Sequence, residues 1–152
     1  MSSIDNLSVG KLRAEGYLKA LENNTIPVNS NIILRADSEE DLNSKIENIF
    51  ENNTIDGVFA LDENDSVAAL KIGLKKGYKI PEELSIIGFA DGILASRRLS
   101  PSLTTVSQHG VDIGEVAAKL LIDRLESKEE HVPYETVVIK TKLKERESTR
   151  KL

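Results

Sequence analysis

A five-residue sequence motif, called the repeated word below, occurs twice and is the strongest constraint on how this chain folds. Glu22-Asn-Asn-Thr-Ile26 and Glu51-Asn-Asn-Thr-Ile55 are separated by 29 residues, and each closes a helical pattern before an apolar segment. A helix followed by a strand at this period is the repeat of an α/β protein, in which the strands are parallel and the crossovers right-handed. The asparagines of the first word, Asn23 and Asn24, tolerate the left-handed backbone that ends helices.

Hydrophobic spacing predicts four helices. In the first, Leu7, Ala14, Leu18 and Leu21 recur at seven-, four- and three-residue steps, as one buried stripe requires. Ser38 is a good N-cap for the second, with Asp41 as an acidic first-turn residue. Gly77 closes the third, and the fourth is the most regularly amphipathic. We predict these helices over residues 8–23, from 38 to about 50, 65–76 and 110–125.

Apolar runs predict the strands between these helices. Uninterrupted runs are typical of strands that are covered on both faces, whereas the last strand alternates apolar residues with lysines, as an edge strand does. We predict strands over residues 31–34, 57–61, 84–89, 103–106 and 137–144. The fold class is therefore α/β, with a mainly parallel, doubly wound sheet flanked by helices.

Composition excludes several function classes. The 152 residues contain no Cys, which removes disulfides, thiolate metal sites and cysteine nucleophiles. Their 20 basic and 25 acidic side chains give a net charge of −5, and an acidic chain is a poor nucleic-acid binder by itself. We find no apolar segment of membrane-spanning length and no signal peptide at the start, so we expect a cytoplasmic protein without a membrane partner.

Catalytic motifs are missing from the sequence. It holds no G-x-S-x-G, P-loop, H-E-x-x-H or C-x-x-C pattern, and Gly10 and Gly16 do not complete a dinucleotide fingerprint. His109 and His131 stand alone, without an acid or nucleophile at catalytic spacing, which favours surface roles. We therefore predict no enzyme, no catalytic residue, no metal site and no cofactor.

Acidic residues follow two of the predicted core strands. The cluster Asp62-Glu-Asn-Asp65 comes after the strand at 57–61, and Asp91 comes two residues after Phe89. Ligands of open α/β sheets bind at this carboxyl edge, and Arg13 is able to hold a ligand's hydroxyls or carboxylate bidentately. Helix capping by the cluster, an Asp-Gly turn at Asp91 and a solvated Arg13 remain alternative interpretations.

Six blocks, taken in order and spacing, resemble the LacI/GalR transcriptional regulators, which share the two-lobed periplasmic-binding-protein fold. The likeness runs from about residue 13 to residue 149. The blocks are Asp56-Gly-Val-Phe-Ala-Leu-Asp-Glu63, Ala68-Ala-Leu-Lys-Ile-Gly-Leu-Lys-Lys-Gly77, Ile80-Pro-Glu-Glu-Leu-Ser-Ile-Ile-Gly-Phe89, Pro101-Ser-Leu-Thr-Thr-Val-Ser-Gln108, Ile113-Gly-Glu-Val-Ala-Ala-Lys-Leu-Leu121 and Arg146-Glu-Ser-Thr149.

The resemblance implies a division of the chain between two lobes. Residues 1–105 and 137–149 would form the lobe distal from DNA, and residues 106–128 would belong to the DNA-proximal lobe. A regulator of this family begins with a helix-turn-helix domain, which we do not find before Met1. The chain is therefore expected to be an effector-binding and dimerisation portion that does not bind DNA directly, whereas its full-length parent binds operator DNA.

The resemblance also implies site residues. Arg13, Asp62, Glu63 and Asp91 would contact a small effector of the sugar or nucleoside class. Two positions depart from the family pattern: Ala90 replaces an effector-binding Asp, and no aromatic residue stands at positions 36–38. A homodimer would form through the distal lobe, with an interface at Val67, Ala68, Leu70, Ile93, Leu94 and Leu99.

The helix at 110–125 would lack the sheet on which it packs in the family. We expect its apolar face to be covered by another chain or by a repacked fold, because apolar patches of this size usually find partners. The shared fold leaves two alternatives to a regulator: a solute-binding module of a transport or sensor system, and, more remotely, a sugar-active enzyme.

Overall fold

The computed structural model describes residues 1–4, 7–89, 98–128 and 132–150. Helices and strands alternate along most of the chain, in agreement with the predicted fold class. None of the helices in these ranges is long and apolar enough to cross a membrane. The elements are α1 (Ser8–Asn23), a 3-10 helix (Ser30–Ile32), α2 (Glu39–Asn52), β1 (Gly57–Ala60), α3 (Glu63–Lys75), β2 (Ser85–Phe89), β3 (Thr104–Ser107), α4 (Gly110–Glu126) and β4 (Lys142–Lys144).

The sheet has the order β1-β2-β3-β4. The first three strands are parallel, with Ala60 opposite Gly88 and Gly88 opposite Thr105, whereas β4 runs antiparallel to β3 at the edge. The chain start extends the hydrogen bonding beyond β1, because Met1 O accepts from the Leu61 amide at 3.0 Å. The parallel register brings the carboxyl ends of β1, β2 and β3 to one edge.

The core lies between this sheet and helices α2 and α3. Ile46 of α2, Leu70 of α3 and Ile86 of β2 are almost fully buried together. Two ion pairs join the outer surfaces of α2 and α3: Lys75 with Glu47 at 3.0 Å, and Lys76 with Glu51 at 2.6 Å. Exposed pairs of this kind contribute little to stability, so the apolar contacts dominate.

Two strand predictions need correction. The predicted strand at 31–34 has the wrong bounds, because Ser30–Ile32 is a 3-10 helix in which Asn29 Oδ1 accepts from the Asn31 amide at 3.1 Å. A side-chain bond of this type competes with strand formation. Pairing begins only after this helix, where Arg35 forms a parallel bridge with Ser2. The predicted strand at 137–144 is too long: only Lys142–Lys144 pairs, against three residues of the four-residue strand β3. A strand ladder extends no further than its partner.

The repeated word does not have a repeated conformation. In the first copy the left-handed residue is Thr25 (φ 56°), whereas Asn24 has φ −102°, so the prediction for the asparagines is wrong at Asn24. In the second copy Asn53 is extended, with φ −138°. The helix at 8–23 nevertheless has the predicted bounds, because periodicity rather than the closing word determines them.

Helix α4 exposes its apolar face in the single chain. None of its residues is buried, and Val111 and Leu125 are 76% and 75% exposed. Among the described residues no repacked fold covers this face, contrary to one of the two expected arrangements. Coverage by another chain stays a prediction. The other exposed large apolar residues of α4 are Ile113, Leu121 and Ile122.

Gly88 is the position where α3 approaches the sheet most tightly. A Cβ atom built there would lie 2.6 Å from Ser66 Cβ. We expect Gly88→Ala to lower the free energy of unfolding by about 1–3 kcal/mol, the usual cost of overpacking, measured by urea denaturation. Gly114→Ala is the control, because nothing lies near that Cβ, and it should stabilise α4 by about 0.5–1 kcal/mol. Equal stability of Gly88→Ala and the parent chain would contradict this packing.

Candidate ligand-binding site

One guanidinium lies at the carboxyl ends of three parallel strands. Arg13 Nη1 donates to Leu61 O at 2.6 Å, and Nη2 donates to Gln108 Oε1 at 2.7 Å. Its Cζ atom lies 4.2 Å from the centroid of the Phe89 ring. Leu61 follows β1, Phe89 ends β2 and Gln108 follows β3, so this arginine joins helix α1 to all three strand ends. We refer to these four residues as the Arg13 junction.

Three aromatic rings, those of Tyr17, Phe59 and Phe89, pack in a row next to the Arg13 guanidinium. Tyr17 lies one turn after Arg13 on the same face of α1. Its ring packs on Phe59 with centroids 6.1 Å apart, and Phe59 meets Phe89 edge-on at 5.9 Å. Helix α1 therefore contacts the sheet mainly through aromatic rings. Gly10 is its only buried residue, so the rest of the helix buries little surface.

The electrostatics of the junction suit an oxygen-rich ligand. Partial burial lowers the pKa of Arg13, and the nearby Asp62 carboxylate opposes that change. An arginine side chain nevertheless keeps its charge at any physiological pH. A partly desolvated guanidinium next to a carboxylate offers both donors and acceptors to hydroxyl groups. The edge is thus chemically equipped to bind a small polar molecule.

Asp62 has a structural role as well as a place at the edge. It is the N-cap of α3, and its Oδ1 accepts from the Asn64 amide at 2.8 Å. The capping alternative from the sequence is therefore confirmed, and capping does not remove the carboxylate from the neighbourhood of Arg13. Glu63 follows in the first turn of α3, and its Oε1 atom is buried without a hydrogen-bond partner among the described residues.

Asp65 lies apart from the junction, in the interior. It is fully buried, and its Oδ2 accepts from the Ser3 amide at 3.0 Å. Its Oδ1 has no partner in the part of the chain that the structure describes. Burial raises the pKa of Asp65, more than the hydrogen bond to Ser3 lowers it. The acidic cluster thus divides between the ligand edge and the core.

The structure brings together two of the predicted effector residues, Arg13 and Asp62, which interact electrostatically, and Glu63 follows Asp62 as the first residue of α3. Asp91, with the expected interface residues Ile93 and Leu94, lies outside the described residues. Sequence reasoning missed Gln108 and Phe89. The available signal was position alone: both stand at the carboxyl end of a strand predicted to be parallel.

The expected dimer residues occupy different environments. Val67 and Leu70 are buried in the core of their own chain, whereas Ala68 and Leu99 are partly buried against it. Leu70, at 1% exposure, has no surface left to offer a second chain. Any contact made by this face of α3 has to come from more exposed neighbours such as Lys71.

The two histidines do not extend the site. His109 is the left-handed N-cap of α4, with φ 57°, and its Nδ1 lies 3.0 Å from Asp112 Oδ2. This position agrees with the predicted surface role, since His109 remains partly exposed. His131 lies outside the described residues. Over the described ranges, no group of three or more His, Asp or Glu side chains is arranged to hold a metal ion.

Comparison with known proteins shows extensive similarity. The family model for a periplasmic binding protein-like domain matches residues 2–149. The ribose operon repressor of Halalkalibacterium halodurans is 38% identical over 142 residues, which cover 91% of this chain and 40% of the relative. The HTH-type transcriptional regulator MalR of Clostridium butyricum is 30% identical over 153 residues, or 97% of this chain and 44% of the relative.

Solved structures of transcription regulators are also similar to this chain. A complex described as transcriptional regulator CelR with cellobiose superposes with a TM-score of 0.83 at 25% identity, covering 97% of this chain and 45% of that one. The transcription regulator CcpA of Lactococcus lactis superposes with a TM-score of 0.74 at 28% identity, covering 91% of this chain and 50% of that one. The chain spans about two fifths of the length of these curated relatives.

We expect Asp65→Asn to stabilise the protein at neutral pH. Because burial raises the pKa of Asp65 in the folded chain, its carboxyl opposes folding as the pH rises through that pKa. The variant should melt about 2–4 °C higher at pH 7, the response to about 1 kcal/mol in a domain of this size. The gain should shrink below the unfolded pKa of about 3.9.

Thermal melts at several pH values measure this difference. Asp123→Asn, at an exposed position of α4, makes the same charge change and should show no comparable gain. A destabilised Asp65→Asn at pH 7 would show that the ionised carboxylate is required in the core.

Proposed function

We propose, since the chain belongs to the family of periplasmic-binding-protein-like domains, that it is the effector-binding and dimerisation portion of a LacI-type transcriptional regulator. Its sequence relatives and structural neighbours are transcription regulators and not enzymes, which agrees with the resemblance noted in the motifs. The observation that carries the proposal is the Arg13 junction, a cation held at the edge where ligands of such sheets bind.

The effector we propose is a small polyhydroxylated molecule, of the sugar or nucleoside class. Arg13 and Asp62 supply donors and acceptors for hydroxyl groups, and Glu63 and Asp91 are proposed as further contacts. The names of two relatives, the ribose operon repressor and the CelR–cellobiose complex, favour sugars. Ala90 removes one acidic contact of the family pattern, so the ligand differs in detail from those of its relatives.

The geometry suggests how ligand binding is transmitted. Arg13 holds Gln108 at 2.7 Å, and α4 begins two residues later at Gly110. A ligand oxygen that competes for the guanidinium would change the restraint on the chain that leads into α4. Such a ligand shifts the balance between two arrangements only by the difference in its affinity for them.

The proposed lobe assignment explains the exposure of α4. In our proposal residues 1–107 and 137–149 form the distal lobe, because the whole of β3 (Thr104–Ser107) pairs within its sheet. The predicted boundary after residue 105 lies inside this strand, and the residues that follow it, through 128, belong to the DNA-proximal lobe. The open apolar face of α4 supports this division, because a helix that packs on another part of the protein is exposed when that part is missing. DNA binding would then reside in a helix-turn-helix domain outside these residues, and the protein would act in the cytoplasm.

A solute-binding module of a transport or sensor system remains the alternative with the same fold. The relatives named above are regulators, which favours regulation over transport. A helix-turn-helix coding segment directly upstream in the gene would support the regulator. An export signal there would support the alternative.

We expect one sugar or nucleoside to raise the melting temperature of the full-length gene product, because a ligand that binds only the folded state stabilises it. Ribose, cellobiose and adenosine are the first probes. Arg13→Met should weaken that binding by about 10- to 100-fold, the loss of a charge-assisted hydrogen bond. Lys19→Met, on the exposed side of the same helix, should bind normally. If both variants bound the ligand equally well, Arg13 would not be part of the binding site.

We expect the chain by itself to dimerise and not to bind operator DNA. Dimerisation through the distal lobe does not need a DNA reader, and the net charge of −5 opposes phosphate binding. Analytical ultracentrifugation should give twice the monomer mass at micromolar concentration, and gel-shift assays with the upstream DNA of its own gene should show no complex. A monomer mass in the ultracentrifuge would contradict the proposed dimerisation. A sequence-specific gel shift would contradict the lobe assignment.

A further inference from the structure

Residues 146–149 form hydrogen bonds on both sides of strand β3. The strand before them, β4, pairs with β3 at the edge of the sheet. Ser148 lies on the other side, because its amide donates to Ser102 O at 3.0 Å and its carbonyl oxygen accepts from the Ile86 amide of β2 at 2.8 Å. The chain therefore passes around the amino end of β3, and we call residues 146–149 the β3 clasp.

The Ser148 side chain strengthens this attachment. Ser148 is fully buried, and its Oγ donates to Ile86 O at 2.6 Å and accepts from the Thr104 amide at 2.8 Å. Together with its backbone bonds, this one residue satisfies buried polar groups of both β2 and β3, which would be costly to leave unpaired. The clasp cannot move along β3 without breaking all of these bonds.

Arg146 attaches the clasp to three successive residues at the start of β3. Its Nη1 donates to Leu103 O and to Thr105 Oγ1, the latter at 2.9 Å. Its amide donates to Thr104 Oγ1 at 2.8 Å, and the same Thr104 hydroxyl lies 2.8 Å from Thr149 Oγ1. Hydrogen bonds from an ionised donor are the stronger kind, so this arginine fixes the clasp at one position along β3.

The ladder of β4 does not determine its own register. It consists of three pairs, with Val106 opposite Leu143 at the centre, and all three β4 residues are exposed. Lysines recur at every second position, as Lys140, Lys142 and Lys144, so a shift by two residues would again place two lysines on one face. Register is weakly specified in strands that do not bury one face. A contact outside the ladder has to fix it.

We propose that the β3 clasp is a register lock for β4, held by Arg146 and Ser148. The clasp begins two residues after β4 ends at Lys144, so a two-residue shift of β4, about 7 Å, would have to break the bonds of both. Because Ser107 lies opposite Lys142, the lock also sets the length of the connection that enters β4 relative to the one that leaves β3. That these two connections join the lobes rests on the proposed function, whereas the lock does not.

Cysteine pairs measure the register, because the chain has no cysteine of its own. Directly opposite residues of an antiparallel pair have Cβ atoms about 4.5–5.5 Å apart, near the disulfide range, whereas diagonal neighbours are too distant. With the clasp intact, Val106→Cys should therefore crosslink with Leu143→Cys and not with Thr141→Cys, as quantified by mass spectrometry of unreduced peptides.

Removing the clasp contacts should change the ratio of these two crosslinks. Adding Arg146→Met and Ser148→Ala to each cysteine pair should lower the 106–143 crosslink and raise the 106–141 crosslink. The ratio should fall by about 10- to 100-fold, as the loss of a charge-assisted hydrogen bond predicts. Arg150→Met is the matched control, because Arg150 donates to Pro81 O at 3.2 Å and not to β3, and it should leave the ratio unchanged.

Two results would overturn the inference. One is an unchanged ratio after both substitutions, which would place the register determinant elsewhere. The other is an equal rise of both crosslinks, as expected of a chain that is merely loosened. If the double variant does not fold, Thr105→Val, which removes a single acceptor of Arg146, should lower the ratio in the same direction, and an unchanged ratio there would contradict the lock. No part of this test requires an effector, so its outcome is separate from that of the proposed function.

Discussion

The hydrogen bonds of Arg13 join the parts on which any ligand binding by this chain depends. They connect helix α1 to the ends of β1 and β3, and the guanidinium covers the end of β2. Only a parallel register brings three carboxyl ends close enough for a single side chain to reach them. The same guanidinium is the group best suited to a polyhydroxylated ligand, so the site and the attachment of α1 share one residue. In the proposed function, a ligand would compete with Gln108 for these donors, and that competition would be the physical basis for transmission toward α4.

The structure combines a well-packed layer with two unfavourable features. Between the sheet and helices α2 and α3, residues such as Ile46, Leu70 and Ile86 leave almost no exposed surface. On the other side, helix α1 packs loosely, with Gly10 as its only buried residue. Asp65 adds a buried carboxyl oxygen without a described partner, which is costly in a low-dielectric interior. Stability therefore comes mainly from the α2–α3 layer.

Helix α4 has the opposite problem, because its apolar surface faces solvent. Val111, Leu121 and Leu125 are each more than half exposed, and an apolar face of this kind favours association. The chain also spans only about two fifths of the length of its curated relatives. Helix α4 is formed by its own sequence, but what it packs against is not contained in the described residues.

The sequence by itself determined the α/β alternation, the four helices and the three parallel strands, because periodicity and capping act over a few neighbouring residues. It also proposed Asp62 as a site residue from its place after a strand, and Arg13, a residue of α1, from the chemistry of its guanidinium and the family resemblance. Only the tertiary structure decided that Gln108 and Phe89 complete the junction, that Asp65 turns inward and that Ser30–Ile32 forms a 3-10 helix. These outcomes depend on contacts between residues far apart in the chain, such as Arg13 and Gln108, and on how well layers fill the space between them. No local pattern encodes that information.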